Sequence, residues 1–330
     1  MKNVLVKTLD NRSLLLALDY LYRENMKIFP HCRWLMQGTA ITIALALLLI
    51  AFRPGVAMGE NIIPSALSLS GDRSLSDIKV KTLDPPDFKR VPVGRIAKSS
   101  DVTLQVISER RNKIIDDEAW YAAHSLARPG WDGVVPEFAP KQFRGLDLTR
   151  VIPDGERRFL FYGRDNTSSV LLLAQRLDNK KFEYALDFSK YCFAPRNVHE
   201  DRDFVFQRIL WATQIGDILY VSHGHSTYAK SSFGMNAYVS AINVRSMKAL
   251  WHSAPLVSNA HNFEVYGDYL ITGYGFTAEP DFLFLLRRDT GEAVARIPVK
   301  SGPEYLLRKD SRLYVRTYDT DYVLRIDRRH

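Results

Sequence analysis

Hydrophobic positions fall into three regimes along this chain. Residues 35–52 (LMQGTAITIALALLLIAF) form one uninterrupted apolar run without a charge, bounded by Arg33 and Arg53. As an α-helix it covers about 27 Å, close to the roughly 30 Å of a bilayer's hydrocarbon core, which predicts a transmembrane helix over 35–53. Residues 54–100 hold no period; Pro, Ser, Gly and Asp recur, as expected of an extended linker. From about residue 157, short runs of Tyr, Val, Leu, Ile and Phe alternate with Gly, Asp and Asn, the pattern of strands and tight turns. Before that, Val102–Ser108 reads as a strand and Glu118–Leu126 as a short helix ended by Pro129-Gly130.

The strand-rich part repeats. ILWATQI-GD-ILYVSHG, AYVSAINV and KALWHS form one unit; HNFEVY-GD-YLITGYG, FLFLLRR and EAVARIPV form the next. FLFYG, VLLLAQRL and FEYALDF precede them, and EYLLRK-DS-RLYVRTY with YVLRID follows, lacking a final strand. A unit of roughly 40–50 residues with four antiparallel strands is the mark of a propeller blade. The expected fold is therefore an all-β propeller of five to seven four-stranded blades over 101–330. The incomplete last blade should take its missing strand from earlier sequence, closing the ring.

GDILYV…YVSAINVRSMKALWHS, GDYLIT…LFLLRRDTGEAVARI and DSRLYV…YVLRID resemble the quinoprotein-like (pyrroloquinoline quinone-like) β-propeller repeat family over about 155–330, with Trp251 at the blade tryptophan. The resemblance implies an exported propeller. Its members include enzymes and many non-catalytic scaffolds. The quinone-binding enzymes are about twice as long, and this chain has no vicinal cysteine pair, so a non-catalytic member without the cofactor is expected.

Charge orients the membrane segment. Lys2, Lys7, Arg12, Arg23, Lys27 and Arg33 outnumber Asp10, Asp19 and Glu24 ahead of it, which holds residues 1–34 in the cytoplasm and exports the rest. A cleaved signal peptide, cut near Gly55-Val56-Ala57, is the alternative. The long leader favours an uncleaved signal anchor in a bacterial inner membrane, with the propeller periplasmic. Cys32 and Cys192 would then lie on opposite sides and could not pair within a chain. The net charge of +8 is spread too thinly to argue for nucleic acid.

Candidate chemistry is concentrated in 222–239 (SHGHSTYAKSSFGMNAYV). Residues two apart share a strand face, so His223 and His225 point the same way and, with His261 from the next unit, are candidate zinc ligands. The competing reading makes all three polar residues at a blade rim, satisfied by backbone. Calcium is considered at Glu304, Asn262, Asn236 and Asp319, which offer oxygen ligands from different units. Loops after each second strand should cluster at one end of the ring. They bring Tyr228, Lys230, Asn236, Tyr274, Glu279, Tyr305, Tyr318 and Asp319 to a surface suited to ligand or partner recognition. No nucleophile motif or phosphate loop is present. The expected function is a membrane-anchored scaffold or accessory subunit contacting membrane or periplasmic proteins. The alternative is an exported metal-dependent hydrolase or small-ligand-binding propeller centred on His223, His225, His261 and Glu279.

Overall fold

The computed structural model describes residues 75–84, 96, 101–112, 116–127, 129, 139–165, 168–191, 205–225 and 227–328. The expected leader, membrane helix, most of the linker and both cysteines lie outside these residues. Among the described residues, no helix is long and apolar enough to cross a membrane.

Four antiparallel sheets follow one another. The first holds β4 (Leu146–Asp154), β5 (Arg157–Gly163), β6 (Leu171–Arg176) and β7 (Phe182–Asp187), flanked by β3 (Gln142–Phe143) and, parallel to β7, by β1 (Val80–Thr82). The second holds β8 (Arg208–Ile215), β9 (Ile218–Gly224), β10 (Tyr238–Asn243) and β11 (Lys248–His252). The third holds β12 (Glu264–Tyr266), β13 (Tyr269–Phe276), β14 (Glu279–Arg287) and β15 (Ala293–Pro298). The fourth holds β16 (Pro303–Lys309), β17 (Arg312–Thr317) and β18 (Thr320–Arg328), and its last strand is β2 (Val102–Arg111). The expected borrowing of an early strand is thus observed. Of the expected five to seven units the described residues form four, and among them Asp117–His124 is a helix.

Each first hairpin turns on two residues, and the first of them has positive φ: Gly155, Gly216, Gly267 and Asp310. Glycine adopts that conformation without a Cβ penalty, and Asp is one of the few side chains that tolerates it.

Successive side chains on each strand serve opposite faces, so every sheet is apolar on both. Phe161, Leu172 and Leu186 meet Leu219, Val221 and Ile242 between sheets one and two. Tyr220 and Val239 meet Leu270 and Phe284 between two and three. Ile271 and Leu283 meet Leu306 and Val315 between three and four. At about 1.5–3 kcal/mol per fully buried large side chain, these three seams are the main stabilising contacts.

The outermost faces of the series are covered differently. On sheet four, helix α1 (Asp117–His124) buries Trp120 and Tyr121 against Leu307. Asp116 caps it by accepting from the Glu118 N–H at 2.9 Å, and Ser125 ends it in the left-handed conformation. Arg316 of β17, 3% exposed, pairs with Asp117 at 2.9 Å and lies over the Trp120 ring. On sheet one, Leu160, Tyr162 and Leu173 are covered by Ile78, Ala139 and Phe143.

Candidate functional site

The site is built on an irregularity repeated in the first strand of three sheets. The ladder shifts by one residue between Leu148 and Arg150, between Ile209 and Trp211, and between Pro303 and Tyr305. Thr149, Leu210 and Glu304 are the extra residues. A bulge turns its peptide out of the ladder, and two of these peptides serve the neighbouring sheet instead. The Leu210 carbonyl accepts from Arg150 Nη1, and the Glu304 carbonyl accepts from the His261 N–H at 2.8 Å. Arg150, Arg208, His261 and Tyr305, one from the inner edge of each sheet, thereby come within electrostatic reach of one another. His261 feels Arg150 and Arg208, and Arg150 feels Tyr305.

Beside this group opens a cleft of about 560 Å³. Leu210, His225 and His261 line one part of it; Gly275, Phe276 and Asp281 another; Lys300, Ser301, Glu304, Tyr318 and Asp319 a third. Burial lowers the His225 imidazole to about 4, so it is neutral at pH 7. Burial raises Asp281 to about 6, with Asp319 and Glu279 adding like-charge repulsion. Asp319 is held below the usual range by hydrogen bonds from Ser301 and Thr320. Gly275 is required here: a Cβ would stand 1.9 Å from Asp281 Oδ1.

Several candidates named from the sequence take other roles. His223 leaves the proposed metal triad. It is fully buried between sheets one and two, bonded through Nε2 to Ser240 Oγ at 3.0 Å, stacked on Tyr238 and edge-on to Tyr191. Ser240 Oγ also meets His252 Nδ1 at 2.7 Å. In the strand register His223 occupies the place held by Tyr162 and Tyr274 in the neighbouring sheets, a core aromatic position. Only His225 and His261 reach the cleft, and among the described residues no three His, Cys, Asp or Glu side chains are grouped as a metal site.

The oxygen-ligand set also separates. Asn236 accepts from the His225 N–H at 2.8 Å and donates to the His225 and Thr227 carbonyls. Asn262 accepts from the Leu306 N–H at 2.9 Å and donates to the Leu306 carbonyl. Asn259, unassigned by the sequence reading, makes the same two-point contact with Gly275. These amides stand in for strand pairing at the cleft walls, and their amide oxygens are already engaged.

Tyr228, Tyr274 and Glu279 do come together, as a latch between sheets two and three. Glu279 accepts from the Ala229 N–H at 2.8 Å and from the Tyr274 hydroxyl, while Tyr228 meets Thr277 and the Phe276 ring. Lys230 lies in the short helical turn Ala229–Ser232 that this latch holds. Tyr305 packs on His261 and on Tyr121 of α1. Tyr318, at the cleft edge, is 71% exposed.

Arg150, Arg208 and Asp281 were missed. The signal of the two arginines is positional, one directly after and one just before a first-strand bulge, while Asp281 lies on β14 opposite the irregularity at Gly275; both appear only once the strands are in register.

No protein-family model matches the chain, and no curated protein matches it. Solved structures align with it at low similarity. BamB from Moraxella catarrhalis aligns at TM-score 0.36 and 13% identity, over 60% of this chain and 48% of that one. The computationally designed Ika4 protein aligns at 0.36 and 9%, over 60% and 100%. A europium-containing methanol dehydrogenase aligns at 0.33 and 11%, over 53% and 38%. The aligned part spans about half the BamB structure's length.

Proposed function

We propose that the chain is a membrane-anchored, periplasmic propeller of the quinoprotein-like kind, acting as a non-catalytic scaffold or accessory subunit that docks a protein at its cleft end. The observation that carries this is the cleft's aromatic edge. Tyr318 projects from the β17–β18 turn of sheet four, 71% exposed, and Phe276 lines the opposite part. Tyr228 packs on Phe276, and the adjoining loop adds Phe233, with 40% and 47% exposed respectively. Large aromatics left in solvent around a concavity are typical anchors for a partner. The uncharged run over 35–52 supports the anchor, and the basic leader supports the orientation.

The test is co-purification from detergent-solubilised membranes. Tyr228→Ala/Tyr318→Ala should release a partner that the wild-type chain retains, while the folded state is unchanged by circular dichroism. Retention of the same partners by the double variant would contradict docking at this end.

A further inference from the structure

A row of like charges crosses the fourth sheet. Lys309 of β16 stands directly opposite Arg312 of β17, and Arg312 directly opposite Arg325 of β18. Directly opposed residues share a face, so the three cations lie side by side, about 5 Å from strand to strand. All three are exposed. Arg325 is bonded to Asp327 at 2.8 Å and to Gln105. Among the described residues no carboxylate lies within ion-pairing distance of Lys309 or Arg312, and Asp310, in the turn between them, pairs with neither.

The first sheet carries the same row with its charges balanced. At the matching place beside its first hairpin, Arg157 stands opposite Arg176. There each guanidinium has acids of its own: Arg157 bonds to Glu183, and Arg176 to Asp178 and Glu156. The first-strand place opposite Arg157 holds Asp154, where sheet four sets Lys309 opposite Arg312. Like charges set directly opposite are destabilising, so the fourth sheet keeps a repulsion that the first has neutralised with carboxylates. An anion from outside the sheet relieves it. The row sits at the hairpin end of β17, and Tyr318 and the cleft lie past the other end, about 20 Å away along the strand.

From this register we propose that the hairpin end of sheet four docks an acidic segment of a partner protein, whose Asp or Glu carboxylates pair with Lys309 and Arg312 as Glu183, Asp178 and Glu156 pair with the row in sheet one. The surface is independent of whether a protein docks at the aromatic edge of the cleft.

The full chain in detergent is titrated against fluorescein-labelled hexaglutamate, followed by fluorescence anisotropy. Wild type should bind it saturably, and Lys309→Gln/Arg312→Gln should weaken binding about fivefold or more, the loss expected for two exposed ion pairs. The unfolding temperature of this variant should be no lower than that of wild type, since the substitution removes a repulsion; a lower one contradicts the premise. Arg176→Gln/Arg245→Gln removes the same charge from cations already paired with Asp178 and Asp217, and should bind like wild type. Tyr228→Ala/Tyr318→Ala should also bind like wild type, which separates this surface from the cleft end. Wild-type binding by Lys309→Gln/Arg312→Gln overturns the proposal, and an equal loss in Arg176→Gln/Arg245→Gln does so too, by reducing the effect to net charge. If phosphatidylglycerol nanodiscs are held through Lys309 and Arg312 while hexaglutamate is not, the surface meets lipid and the acidic segment is refuted.

Discussion

Trp251 of the second sheet lies flat against Gly291 of the third. A Cβ at 291 would stand 2.4 Å from Trp251 Cε3, and the indole N–H donates to the Arg288 carbonyl at 3.0 Å. The tryptophan therefore joins two sheets by contact and by hydrogen bond, and only a residue without a side chain leaves it room. Gly291 also has a φ of +73°, a conformation most side chains avoid. Gly291→Ala should cost about 2–4 kcal/mol, combining backbone strain with overpacking. Urea unfolding followed by tryptophan fluorescence checks this, and a loss under about 0.5 kcal/mol, the range of ordinary surface changes, contradicts it.

Asn262 is the corresponding fastening between sheets three and four. Asn262→Ala strands both the N–H and the carbonyl of Leu306 in a buried seam, at an expected cost of about 2–4 kcal/mol. Asn262→Asp restores the acceptor but sets a carboxylate oxygen against the Leu306 carbonyl, so it should not rescue. Equal stability of the Asp variant and wild type would refute the two-point reading.

Glu264 makes this seam sensitive to pH. Burial raises its carboxyl to about 7, even though the Arg308 N–H donates to it. The folded value exceeds the ordinary 4.5, so the folded state holds the proton more tightly than the unfolded chain. This group's contribution is therefore full below about 4.5 and is lost as pH rises through about 7. Glu264→Gln should flatten the stability profile between those values. An identical slope in variant and wild type, measured by denaturant unfolding across that range, would exclude the assignment.

Helix α1 is expected to be indispensable to the fourth sheet. Trp120 is 1% exposed and stacks beneath Arg316. Trp120→Ala should cost about 3–5 kcal/mol. Faster amide exchange in β16–β18 than in the second sheet would locate the damage. Uniform acceleration across all four sheets would mean that the helix does not act locally.

Glu279 holds the loop that carries Tyr228. Glu279→Ala removes the acceptor of the Ala229 N–H and the Tyr274 hydroxyl, and trypsin should then cut after Lys230 severalfold faster. An unchanged cleavage rate at Lys230 would show that the Tyr228–Thr277 and Tyr228–Phe276 contacts suffice without it.

Much of this architecture was legible in one dimension because it is local. Period-two runs gave the strands, and Gly216-Asp217, Gly267-Asp268 and Asp310-Ser311 gave the hairpins. The strand missing after YVLRID pointed to a pairing with earlier sequence, which β2 fulfils. Glu118–Leu126 read as a short helix, and α1 stands at Asp117–His124; the described residues form four of the five to seven expected sheets.

The site was less legible. His223 and His225 share a strand face on paper, but the last regular pair on β9 is Arg208 with Gly224, and His225 leaves the ladder there. One imidazole therefore continues the core stack and the other turns to the cleft. Asn236 and Asn262 read as ligands because their side chains carry oxygens; what spends those oxygens is backbone from distant residues.

Taken alone, the order of side chains determined the strands, their turns and the faces they bury, since each depends on neighbours within a few residues. The chemistry at the cleft was decided by the packing of one sheet on the next. Hydrogen-bond satisfaction and burial are sums over everything nearby in space, and His225, Asp281 and Asp319 come to line one cleft only after the sheets have packed.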